Sequence, residues 1–382
     1  PDPLWSRGLG DVYKRQGDSM AAPGDTFTFP RTGVTLRNRA VLAAMTNKQS
    51  NPDGTLSDAE INWLLRRAEG GFAIVTTAAS HVTPGGQGWV GEMGVWGDHQ
   101  IPGLTKLAEG IQERGALSLA QIFHGGMRAP EELTGEQPVS ASENPCTEAH
   151  CGHSRELSDE EIEGLITAFG DAAVRCAEAG FDGVEVHGAH GYLICQFLGE
   201  GTNRRKDEWG GDIESRARFL LRIIEEVKSR VSDDFLVGVR ISPEYRKIGV
   251  RIEDSLTLSE MLVESGIDFL HISCWDCFIP PSDYPDDHRM ITEWFTEHLS
   301  GKIPIISTGA IWDSSEAQAV MDQGADLIGV ARAGIGHADW GAHARNPDYR
   351  PARPPFTPEH LAEQGLSKPF IEYMRNWKGF IE

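Results

Sequence analysis

The sequence predicts an α/β fold: a (β/α)8 TIM barrel with an N-terminal hairpin and a C-terminal extension. Three observations carry that expectation. Eight short, nearly uncharged apolar runs follow one another along 382 residues, as strands buried on both faces do. Amphipathic stretches separate them, so the units read as βα pairs in series. No internal repeat of short period competes with this rhythm. A doubly wound sheet is the alternative that the same pattern leaves open.

The elements follow in order. Phe27 to Leu36 reads as a small hairpin closing the barrel bottom. The expected strands are Arg39–Met45, Phe72–Ala79, Leu117–Phe123, Gly183–Gly188, Phe235–Ser242, Phe269–Ser273, Pro304–Gly309 and Leu327–Arg332. The clearest helix starts at Ser158 with Glu161 three residues on, a capping-box pattern. Ile162, Leu165, Ile166, Phe169, Ala173, Cys176 and Ala177 recur at helical spacing, and Gly180 closes it. A second helix is expected from about Ile213 to Val231, and a third near Asp313-Ser-Ser-Glu316. Gly125 to Leu157 reads as an insertion after the third strand. From Asn346 the βα rhythm stops; the Pro-rich stretch from Pro347 to Pro358 reads as a wrap over the surface. The expected division is a non-native or disordered segment over 1–19, a barrel over 20–345 and an extension over 346–382.

Composition narrows the function. The formal net charge of −22 argues against nucleic acid and against anionic membranes, both of which call for basic surface. No apolar run approaches the length of a membrane span. Pro1 to Gln16 has neither periodicity nor a signal-peptide core, and it is set aside as read-through of the kind found in metagenomic sequences. Met20 is then the candidate start, and a cytoplasmic location is expected. With six cysteines in so long a chain, a disulfide framework is not expected.

In such barrels chemistry sits where strands end. The fourth strand ends in His187-Gly-Ala-His190-Gly-Tyr192, followed by Gln196-Phe-Leu and Asn203-Arg-Arg-Lys-Asp207-Glu-Trp-Gly210-Gly211. Two imidazoles and a phenol leave one turn together: two donors for an oxygen and a proton source beside them. A His pair could also bind metal, but a third ligand at suitable spacing is missing nearby. The fifth strand carries Arg240 inside an apolar run, where a cation needs an anionic or polar partner; an Arg–carboxylate pair within the barrel is one such solution.

The segment from His187 to Arg218 resembles the signature of the old yellow enzyme family of FMN-dependent ene-reductases, and the resemblance extends over Phe27 to about Trp340. It implies roles for further residues. Ala43, Ala44 and Met45 would line the flavin ring, with Ala44 where the family has Pro, and Thr46 would hydrogen-bond it. Ala79 would contact the ring, and Gln121, in Gln121-Ile-Phe-His124-Gly-Gly126, would reach its pyrimidine edge. Arg240 would face the negative charge of the reduced ring and favour that form. Gly309, Ala310, Ala331 and Arg332 would hold the phosphate, Ala310 and Ala331 standing where Gly is usual. Met127 intervenes before Arg128, so no role passes to Arg128. Asn203, Arg205, Asp207, Gly210 and Gly211 read as family markers rather than catalysts, with Trp209 in place of Tyr.

The resemblance implies FMN as cofactor, NADH or NADPH as reductant and an activated alkene (enone, enal or nitroalkene) as substrate. His187 and His190 would bind the substrate oxygen and Tyr192 would supply the proton. Other readings stay open: a related FMN barrel acting on amines or nitro compounds, a metal-dependent barrel hydrolase, or a non-catalytic flavin-binding protein. No metal site is expected. Cys146, His150, Cys151 and His153 have metal-like types at an uncommon spacing, and Cys274-Trp-Asp-Cys277 reads as two free thiols. Arg375 and Trp377 are candidates for completing the site from the C-terminus, and whether either does is left open. Whether copies associate as a homo-oligomer is left open.

Overall fold

The computed structural model describes residues 21–382; the segment 1–19, its reading as read-through and Met20 as the start lie outside them. Eight parallel strands close into a barrel: β1 (Ala40–Leu42), β2 (Ile74–His81), β3 (Leu117–Phe123), β4 (Gly183–Gly188), β5 (Leu236–Ile241), β6 (Phe269–Ser273), β7 (Ile305–Thr308) and β8 (Leu327–Val330). Each pairs with its neighbours in sequence, and β8 returns to β1 with Ile328 opposite Ala40. A helix follows each: α1 (Asp58–Glu69), α2 (Ile101–Glu113), α3 (Asp159–Glu178), α4 (Arg218–Arg230), α5 (Ile252–Glu264), α6 (Ile291–Leu299), α7 (Ser314–Asp322) and the short α8 (Arg332–Gly336).

The strands fall where the apolar runs place them, with instructive differences at two ends. The first is shorter than expected because from Ala44 the chain leaves the ladder to line a cavity. β2 runs on to His81, with one extra residue between Thr76 and Ala79 relative to β3, a bulge that re-aims the side chains beyond it. At the start of α3, Ser158 Oγ accepts from the Glu161 amide at 3.1 Å, and Glu161 accepts from the Ser158 amide at 3.0 Å. Gly180 then takes φ +93°. The helix expected over 213–231 is two pieces, Ile213–Arg216 and α4, meeting at Ala217. There the buried Arg216 guanidinium turns away to the Leu198 and Gly211 carbonyls and to Asp254.

The hairpin pairs Phe27–Thr28 with Thr35–Leu36 and plugs the bottom. Phe29 is fully buried with its ring 6.3 Å from that of Phe269. That packing needs Gly238, where a Cβ would come within 2.0 Å of the Phe269 ring. Burying a side chain such as Phe29 contributes about 2 kcal/mol, and Arg31 anchors the turn by a double hydrogen bond to Asp268 at 2.7 and 3.0 Å.

The segment after β3 is held by the residues after β4. Arg205 is buried, donates to the Ala141 and Leu157 carbonyls at 3.0 and 2.6 Å, and pairs with Asp207 at 2.7 Å. Asn203 donates to the Phe197 and Trp209 carbonyls, and the buried Trp209 donates to Asp159 at the start of α3. A Cβ at position 210 would meet the Arg205 carbonyl at 2.6 Å. These residues therefore latch a loop.

The C-terminal residues wrap α1 and α8. Helices Pro358–Glu363 and Lys368–Met374 bury Leu361, Phe370 and Met374, and Phe370 meets Trp63 edge-on at 5.1 Å. Arg67, buried in α1, donates to the Gly334 and Ile335 carbonyls of α8 at 3.0 Å each and to that of Gln364. It thereby satisfies a helix end that would otherwise lack donors. This docking carries Tyr373, Met374 and Trp377 to the upper rim of the barrel.

Candidate active site

One cavity opens at the C-terminal end of the strands. Its walls include Tyr192, His190, Arg240, Ala44, Met45, Thr46, Gly309, Ala310, Ala331 and Arg332. His187 stands directly behind His190, their rings 4.9 Å apart. Ala43, Ala79 and Gln121 are buried beside the cavity rather than in its wall, with Ala79 opposite Gln121 across the bulged β2–β3 pair.

The turn after β4 is built from two consecutive left-handed residues, His190 at φ +63° and Gly191 at φ +75°. A side chain at 191 would collide with the Tyr245 ring, 2.7 Å away. The strained histidine costs of order 1 kcal/mol, and its backbone is held on both sides. Its amide donates to Ser242 Oγ at 2.9 Å, and its carbonyl accepts from Arg128 at 2.6 Å. The turn delivers Tyr192 against Phe123 (ring centroids 4.6 Å apart) and 5.3 Å from the His187 ring.

Protonation follows from burial. His187 Nδ1 accepts from the Ala189 amide at 3.3 Å, which puts the proton on Nε2. Burial, then the nearby Arg240 cation, pushes His187 down to about 3 and His190 well below the usual imidazole range. Both rings are neutral donors at pH 7. His190 Nε2 lies 2.6 Å from Ser273 Oγ; with the serine donating, Nδ1 carries the second free N–H. Burial pushes the Tyr192 phenol up to about 12, and the Arg128 guanidinium, stacked 4.3 Å over its ring, pulls the other way. A protonated acid thus stands beside two neutral donors.

Arg240 sits between His187 and His271 in the strand registers. It is buried and donates to the Ala44 carbonyl at 3.3 Å, while its Nε has no partner. The carboxylate on the adjacent strand, Glu185, is occupied: Gln121 Nε2 reaches one oxygen at 2.8 Å and His271 Nδ1 the other at 2.8 Å. A buried cation with an orphaned donor calls for an anionic or strongly accepting ligand. The reduced flavin ring is such a ligand, and the small Ala43 and Ala44 leave room for a plane beside it. At β7 and β8 the chain suits a phosphate. A Cβ at 309 would clash with the Cys274 carbonyl at 2.4 Å, so that position takes only glycine, and Ala310 takes φ +58°, where the usual glycine would cost less. Arg332 lies between Trp312 and Trp377, 5.8 and 5.7 Å from their rings. The residues present therefore fit FMN at both ends.

Several wall residues escaped the sequence reading. Arg128 is one: the short 3-10 turn Gly126–Arg128 absorbs the extra Met127 and swings the guanidinium over Tyr192. Ser242 was legible in principle, since it shares the inward face of β5 with Arg240 at a spacing of two. Tyr373 had no local signal. Of the two C-terminal candidates, Trp377 reaches the cavity, whereas Arg375 pairs with Glu372 on the surface. In the segment after β3, His150 pairs with Glu131 and His153 with Glu143. Among the described residues no three His, Cys, Asp or Glu converge as a metal site, and no helix is long and apolar enough to cross a membrane.

Residues 29–348 match the model of a family described as NADH:flavin oxidoreductase / NADH oxidase. The chain is 39% identical over 321 residues to a probable NADH-dependent flavin oxidoreductase of Bacillus subtilis, covering 83% of this chain and 86% of that one. It is 36% identical to an NADH:fumarate oxidoreductase of Klebsiella pneumoniae over 83% of its own length but only 35% of that protein's. Among solved structures it is similar to the old yellow enzyme homologue from Zymomonas mobilis. There the TM-score is 0.77 at 25% identity, over 90% of this chain and 99% of that one.

Proposed function

Because the chain belongs to the NADH:flavin oxidoreductase / NADH oxidase family, that of the old yellow enzymes, and is an FMN-dependent NAD(P)H oxidoreductase, we propose that it reduces activated C=C bonds of enones, enals or nitroalkenes. One observation carries this reading: neutral His187 and His190 and protonated Tyr192 converge opposite the unsatisfied Arg240. FMN held there would supply the redox chemistry, hydride exchange between nicotinamide and alkene.

The chain's own residues do the rest. Arg240 lies beside Ala44 and favours negative charge on that side of the site. The N–H groups of His187 and His190 bind the carbonyl or nitro oxygen of the substrate and stabilise the charge that develops on it. Tyr192 holds a proton at its phenol oxygen and gives it to the α-carbon. Gln121 orients Glu185, and Ala43, Ala79 and Thr46 shape the flavin edge. Gly309, Ala310, Ala331 and Arg332 bind the phosphate.

Anaerobic spectroscopy tests the reading. NADH or NADPH should bleach the flavin band, and 2-cyclohexenone should restore it. Tyr192→Phe should slow the return and leave the bleaching untouched. Equal slowing of both phases, return only with nitroarenes, or bleaching by amines with no return on the enone, would overturn it.

A further inference from the structure

The cavity wall holds three arginines, Arg128, Arg240 and Arg332, and one acid, Glu244, in a chain whose net charge is −22. The acid is occupied: its two oxygens accept from the Ser282 amide at 3.0 Å each, and one also accepts from the Ser282 hydroxyl at 2.7 Å. Two of the cations suit the flavin, Arg240 at the ring and Arg332 at the phosphate. Arg128 is left over. It follows β3 whereas Arg332 follows β8, three strands away around the barrel, so the phosphate end lies on another side of the mouth. The Arg128 side chain is exposed to the cavity but not loose. One of its nitrogens donates to the His190 carbonyl at 2.6 Å, and the group stacks 4.3 Å from the centre of the Tyr192 ring. Among the described residues no carboxylate pairs with it. Tyr373 stands at the same corner: burial raises its phenol, and the Arg128 charge is near enough to pull the other way. The Lys48 ammonium lies over the Tyr373 ring at 5.2 Å and adds a second positive charge there. A fixed, unpaired guanidinium with free N–H groups is the donor set that a carboxylate fits.

We propose that Arg128 is an anion subsite for the alkene substrate, binding a carboxylate carried on or next to the carbon that Tyr192 protonates. The acceptors favoured by this site are then enones or enals that bear a carboxylate besides the oxygen held by His187 and His190. The stack on Tyr192 fixes where that carboxylate sits: beside the proton donor, on the side of the cavity away from Arg332. The contact selects by binding and orientation, since the carboxylate itself gains and loses nothing in the reaction. A neutral acceptor of the same shape leaves the guanidinium to water and gains no such anchor. This rests on the alkene reading for the position of the reacting carbon, so ligands that cannot react are tested beside those that can.

Anaerobically reduced holoenzyme is mixed with (E)-4-oxopent-2-enoate or its methyl ester, enones that differ by one charge. The ester is intrinsically the more electrophilic, so the quantity read is the acid-to-ester ratio of second-order rate constants, compared between proteins. That ratio should fall by roughly tenfold or more in Arg128→Ala, the size of a lost charge-assisted hydrogen bond, and recover in part in Arg128→Lys. Any slowing common to both acceptors cancels in it, and retained flavin absorbance shows that each variant is folded. The saturated pair, 4-oxopentanoate and its methyl ester, cannot take hydride. Calorimetric titration of the oxidised holoenzyme should show the acid bound more tightly than the ester, a difference that Arg128→Ala erases. An acid-to-ester ratio that is the same in wild type and Arg128→Ala would overturn the proposal; a raised KM for NADH or NADPH alongside it would assign the arginine to the nucleotide phosphates instead. If neither enone restores the flavin band, the alkene reading fails, and the saturated pair alone decides: equal wild-type affinities for acid and ester would then remove the anion subsite as well.

Discussion

Arg240 and Glu185 stand on adjacent strands inside the barrel and do not pair. Both Glu185 oxygens are taken by Gln121 and His271, and Arg240 keeps a buried nitrogen without a partner. The cation is in effect reserved for a ligand. Arg240→Met keeps the length of the side chain and removes the charge. It should weaken FMN binding by roughly tenfold or more, the size of a lost charge-assisted hydrogen bond, and lower the flavin reduction potential. Dilution-induced flavin fluorescence and a redox titration measure the two effects. Unchanged values in both would show that the flavin does not use the arginine.

Arg128 bears on the acid without being one. It stacks on Tyr192 and fixes the His190 carbonyl. Arg128→Ala should loosen the turn and raise the apparent pKa of the phenol, since the guanidinium lowers it. The expected outcome is a roughly tenfold slower alkene step with flavin reduction unchanged, partly restored by Lys. Stopped-flow traces of the two half-reactions separate these.

Glu60 gives stability a pH dependence. It is fully buried, accepts from the Ser50 hydroxyl and has one oxygen without a partner. Burial raises it from 4.5 to about 7. The folded state therefore keeps the proton longer than the unfolded chain, and stability is fully present below pH 4.5 and lost as pH rises toward 7. Glu60→Gln removes that loss. The Tm advantage of the variant should grow across this window and then level off, with a ceiling of about 3 kcal/mol by linkage. A pH-independent Tm difference would contradict it.

Arg205 tests the latch. Arg205→Met strands two buried carbonyls and the Asp207 carboxylate. Leaving two buried carbonyls without donors should cost about 2 kcal/mol, read as a lower denaturant midpoint. Spectral titration with FMN should show unchanged affinity in the folded protein, because no latch residue lines the cavity.

The barrel was legible because parallel strands covered on both faces must be apolar throughout, and because Ser158 with Glu161 advertises a helix start. The break at Ala217 was not, since no Gly or Pro marks it and its cause, the carbonyls that Arg216 finds, is remote in sequence. The site divides the same way. His187 and Arg240 lie on strands that the apolar runs mark, and His190 and Tyr192 lie in the turn just beyond one of them. Arg128 was hidden because the added Met127 seemed to shift it, and only a three-dimensional turn shows that it does not. Tyr373 was hidden because docking of its helix depends on Phe370 finding Trp63.

That docking separates two kinds of inheritance. The groups that handle charge and protons come from strand ends that the barrel cannot rearrange without losing its core. The rim of the cavity comes in part from Tyr373, Met374 and Trp377, held by a patch of apolar packing and the carbonyl contacts of Arg67. Drift in those thirty-odd residues can reshape what enters while the machinery beneath stays fixed, so appetite and chemistry can evolve at different speeds in one molecule.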